Sequence, residues 1–120
     1  MIAIIDYGVG NLFSLVSSLK AIGEDAIITK NCEDIKKADK LILPGVGAFG
    51  DAIKKFEESG LKDIVLQEVK NGKAILGICL GMQMLFEKSY EFGEYEGLGL
   101  LKGEVIAMNG TLPEKESFLQ

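Results

Sequence analysis

Four short apolar runs, Met1–Asp6 (which closes on its acid), Ala26–Thr29, Lys40–Leu43 and Ala74–Ile78, alternate with segments of helical spacing, and this alternation limits the fold more than any other feature of the chain. A strand that is apolar throughout has both faces covered, and strands separated by helices pair in parallel through right-handed crossovers. The expected fold class is therefore α/β, a three-layer domain with a mostly parallel sheet between helices. Ligands of such sheets bind at the carboxyl ends of the strands.

The helical segments carry their own punctuation. Leu12, Leu15, Val16, Leu19 and Ile22 recur at helical spacing, with Asn11 as N-cap and Gly23 as stop. Glu33–Ala38 reads as a short helix. Pro44 ends the third strand because it cannot donate to a sheet ladder. Gly45–Gly50 follows as a glycine-dense loop with free backbone N–H groups, and Asp51 is expected to cap a helix through Ala52, Ile53 and Phe56 to Gly60. Leu61, Ile64, Val65 and Val69 mark another helix. Beyond Ser89 the chain turns to glycine and acid, with one more strand expected over Gly103–Met108 and a turn at Asn109–Gly110. The 111–120 segment is polar and reads as frayed or cut short.

Ala74–Glu87 reads as strand, cysteine on a sharp turn, and helix through about Glu87. Gly77 and Gly81 lie two residues either side of Cys79, the spacing of a nucleophile elbow with sulfur in place of a hydroxyl. The glycines remove side chains that would crowd a strained turn, and the start of the helix favours a thiolate. The Leu80 N–H and an N–H of Val46 or Gly47 could then hold an oxyanion on an attacked carbonyl. An inert cysteine at a strand end fits the same local pattern.

Composition narrows the choices. A net charge of -5 argues against a nucleic-acid partner. No apolar run approaches the roughly 20 residues that span a bilayer, and Met1–Asp6 has no leader pattern, so a cytoplasmic protein is expected. Cys32 and Cys79 are too few for a cysteine zinc site, and no metal or cofactor is expected. Cys32 reads as an incidental thiol. Gly8 and Gly10 begin a dinucleotide fingerprint whose third glycine is replaced by Phe13, which excludes a Rossmann site. The chain has no histidine, the side chain best suited to serve a nucleophilic cysteine as base.

Gly77–Gln83 resembles the nucleophile motif of class I glutamine amidotransferases, flavodoxin-like domains that hydrolyse glutamine and pass ammonia to a partner. Ile5–Leu12, Leu43–Asp51 and Glu96–Leu100 together resemble the glutaminase subunits of imidazole glycerol phosphate synthases, enzymes of histidine biosynthesis. The resemblance implies Cys79 as nucleophile and Leu80 and Val46 as oxyanion-hole amides. It implies that Gln83 and Glu91 hold L-glutamine, and that Gly45 and Gly47 belong to a loop responsive to the partner. It further implies that Asn11 falls on the face that docks a cyclase subunit in a heterodimer. The family's catalytic histidine and glutamate are missing from the sequence. Residues 1–120 are thus expected to form an incomplete amidotransferase domain, inactive alone; the rival expectation is a catalytically dead module that keeps the docking face.

Overall fold

The computed structural model describes residues 1–108. The expected Asn109–Gly110 turn and the polar 111–120 segment lie outside the described residues. In chain order the elements are β1 (Ile2–Ile5), α1 (Leu12–Ala21), β2 (Ala26–Thr29), α2 (Cys32–Lys37), β3 (Lys40–Leu43), α3 (Phe49–Glu58), α4 (Lys62–Lys70), β4 (Ala74–Gly77), α5 (Leu80–Met84), β5 (Phe86–Ser89), β6 (Tyr95–Glu96) and β7 (Leu101–Val105). The first four strands form one parallel sheet in the order β2-β1-β3-β4.

Strand order decides where the helices lie. The step from β1 to β2 runs toward one edge, and the steps from β2 over β1 to β3 and on to β4 run toward the other. Right-handed crossovers then place α1 on one face and α2, α3 and α4 on the opposite one. Burial agrees: Ala3, Ile5, Leu41 and Leu43 join Ile35, Phe49, Phe56 and Val65 in one core, which includes no residue of α1.

Two expectations need correction. The strand β4 is not covered on both faces, because among the described residues it is the sheet's edge and α1 lies over the far end; Leu76 is 58% exposed. The helix after Cys79 does not reach Glu87 but stops at Met84, and Phe86–Ser89 is a strand of a second sheet ordered β6-β5-β7. Met84 O accepts from Leu98 N–H and Leu85 O from Leu100 and Leu101 N–H, so pairing with the returning chain replaces further helical bonds. Gly97 permits the approach, since a Cβ there would sit 2.1 Å from Phe86 O. A smaller shift concerns Asp51, which lies in the first turn of α3 while Ala48 is the N-cap. The strand expected at Gly103–Met108 begins two residues earlier, at Leu101.

Candidate active site

Cys79 links β4 to α5 with φ 54 and ψ -123, a left-handed conformation costly for any residue with a Cβ. The flanking chain explains how the turn is tolerated. A Cβ on Gly81 would lie 1.9 Å from Leu43 O and one on Gly77 would lie 2.6 Å from Met82 Cα, so both positions must be glycine. Ile78 N–H donates to Leu43 O, which continues the β3–β4 pairing to the residue before the thiol. The Cys79 side chain is exposed.

The loop after β3 comes alongside. A Cβ on Gly45 would stand 2.6 Å from Gly81 N, so the backbone of this loop lies directly against the elbow. Among the described residues neither the Val46 nor the Leu80 N–H donates to a protein acceptor. Both residues border a cleft of about 380 Å³ lined by Gly45, Val46, Gly47, Cys79, Leu80, Met82, Gln83 and Glu91. Among the described residues, Cys79 thus shares one opening with two residues whose backbone N–H groups have no protein acceptor.

Two polar side chains complete the wall. Gln83 Oε1 is buried without a hydrogen-bond partner among the described residues, an arrangement that favours a donor arriving from the cleft. Glu91 follows β5, where its N–H donates to Oγ of the fully buried Ser89.

Residues 1–113 match the CobB/CobQ-like glutamine amidotransferase domain. The chain belongs to this family. Among relatives, it is 54% identical over 111 residues to imidazole glycerol phosphate synthase subunit HisH of Wolinella succinogenes, covering 92% of this chain and 54% of that protein. To the HisH subunit of Aquifex aeolicus it is 53% identical over 106 residues, 88% of this chain and 51% of that protein. A crystal structure of a glutamine amidotransferase superposes with a TM-score of 0.75 at 26% identity, over 98% of this chain and 62% of that one. The chain thus spans about half the length of the curated relatives it matches.

Of the site residues expected from sequence, the amidotransferase domain brings seven to one cleft: Gly45, Val46, Gly47, Cys79, Leu80, Gln83 and Glu91. Asn11 stands apart as the N-cap of α1, accepting from Ser14 N–H, and lines a different hollow with Gly10, Leu12 and Phe13. Sequence reasoning missed Met82, which lines the cleft, and Tyr7, which is buried behind it. An aromatic residue directly after an apolar strand run, ahead of a glycine turn, was the available signal for Tyr7. Among the described residues no helix is long and apolar enough to cross a membrane.

Proposed function

We propose that this chain carries the nucleophile and oxyanion side of a glutaminase site that releases ammonia from L-glutamine for the cyclase subunit of an imidazole glycerol phosphate synthase heterodimer in the cytoplasm. The observation that supports it most is Cys79, held at φ 54 in one cleft with Leu80 and Val46, whose N–H groups have no acceptor among the described residues. The Cys79 thiolate attacks the side-chain carboxamide carbon, and the carbonyl electron pair moves to oxygen, where the two N–H groups stabilise it. The C–N bond breaks as nitrogen takes a proton, leaving a thioester and ammonia; water then opens the thioester to glutamate and restores the thiol. Gln83 Oε1 accepts from the substrate's α-ammonium, and the Glu91 carboxylate balances its charge.

Proton transfer in this cycle needs a carrier poised near neutral pH. The 120 residues contain no histidine. In this reading a His–Glu pair outside them supplies it, and the chain alone turns over glutamine slower by orders of magnitude. The missing histidine is also what favours the second reading, a docking module without catalysis.

A glutamine-mimicking chloroketone separates the two. Peptide mapping after reaction is expected to find the adduct on Cys79 well before Cys32, which is also exposed. Indiscriminate labelling of both thiols, with and without a cyclase subunit present, would discard the glutaminase reading and leave the docking module.

A further inference from the structure

We propose that Tyr7 is the positioning residue of the loop opposite the nucleophile: its hydroxyl holds the Pro44 carbonyl and so sets the direction in which the Val46 N–H points. This rests on the glutaminase reading of the cleft. Tyr7 follows β1 and is 5% exposed. Its Oη donates to Pro44 O at 2.5 Å and lies 3.3 Å from Met84 Sδ. Its ring meets that of Phe56 edge to face, with centroids 5.3 Å apart and planes at 61°.

A buried phenol requires a partner for its O–H, and the choice of partner is the informative part. Pro44 O belongs to the peptide immediately before Gly45-Val46-Gly47. Proline fixes φ on one side of that carbonyl, and Tyr7 fixes the carbonyl itself. Gly45 packs against the elbow at Gly81 and Phe49 is fully buried at the start of α3, but the stretch between them is free of side-chain anchors: Gly47 sits at φ 89 and Val46 is 58% exposed. On the strand side, the side-chain hydrogen bond nearest the Val46 peptide is therefore the one from Tyr7 to Pro44 O.

The same phenol reaches the other arm of the site. Met84 belongs to α5, the helix that begins one residue after Cys79. Tyr7 thus stands between the loop that would bind an oxyanion and the helix that follows the nucleophile. Burial pushes the phenol's pKa well above its ordinary value, so the group remains a donor at any pH at which the enzyme works.

The test compares two alkylating reagents on the 120-residue chain and on Y7F. A glutamine-mimicking chloroketone places its ketone oxygen where the oxyanion forms, whereas iodoacetamide displaces iodide at sulfur without using that position. The Tyr7→Phe change is expected to lower the maximal rate of chloroketone labelling at Cys79 by about tenfold or more, as for other small displacements of a reacting group. The reagent's half-saturating concentration and the iodoacetamide rate should stay within about twofold. M84L, which leaves the Pro44 bond in place, should label like wild type. A wild-type rate in Y7F would overturn the proposal and spare the glutaminase reading. Equal loss with both reagents, loss of cooperative folding in Y7F, or an M84L defect matching that of Y7F would make Tyr7 a packing residue and overturn it as well. A wild-type chain that shows no preference for Cys79 over Cys32, with or without a cyclase subunit present, would instead remove the glutaminase reading on which the proposal stands.

Discussion

Strain at one residue organises the site. Cys79 carries a Cβ in a conformation that glycine adopts freely, and backbones of this kind cost about 1–3 kcal/mol per residue. Replacing Cys79 with glycine is expected to raise the unfolding free energy by about 1 kcal/mol, after allowing for the extra freedom of an unfolded glycine. C79A, which keeps the Cβ, should unfold at nearly the wild-type urea concentration. A C79G chain no more stable than C79A would mean that the turn stores no strain. Much of this was legible from spacing alone, because only two glycines at fixed distances allow a cysteine to turn so close to the neighbouring strand. Tyr7 was not legible, since its meaning depends on Pro44 and Met84, which lie 37 and 77 residues away.

Between elements, one lysine does the work that local sequence cannot. Lys73, just before β4, donates to Ile35 O at 2.7 Å and Lys36 O at 2.8 Å, the last turn of α2, and pairs with Glu68 at 3.5 Å. Its side chain is only 12% exposed. K73M retains the aliphatic stem and removes those bonds, and is expected to cost about 1–3 kcal/mol in chemical unfolding; a change under about 0.5 kcal/mol would place Lys73 among ordinary surface residues. Element reading from sequence succeeded where periodicity and punctuation agreed, as at Pro44 and at Ala26–Thr29. It failed at Phe86–Ser89, where residues 82–88 contain good helix formers such as Met, Leu, Glu and Lys. There the returning chain, allowed in by Gly97, bonds the carbonyls that a longer helix would have used. Propensity is a property of neighbours in sequence, and this strand is made by neighbours in space.

At the scale of the molecule, the parallel sheet is covered unevenly. The α1 face shields β1 and β2 but leaves Leu76 on β4 in solvent, on the strand that borders the sheet among the described residues. Exposed apolar strand edges recruit other chains. Sedimentation of the 120-residue chain is expected to show association that grows with concentration, and L76E should shift the distribution toward monomer. A wild-type chain that stays monomeric throughout would show this border to be protected in solution. Among the described residues, the thiol follows that same border strand by two residues rather than one in the sheet's interior. A polypeptide that extended the ladder past β4 would consequently end within a few residues of Cys79, so that recruitment to this border and approach to the thiol would share one row of backbone hydrogen bonds.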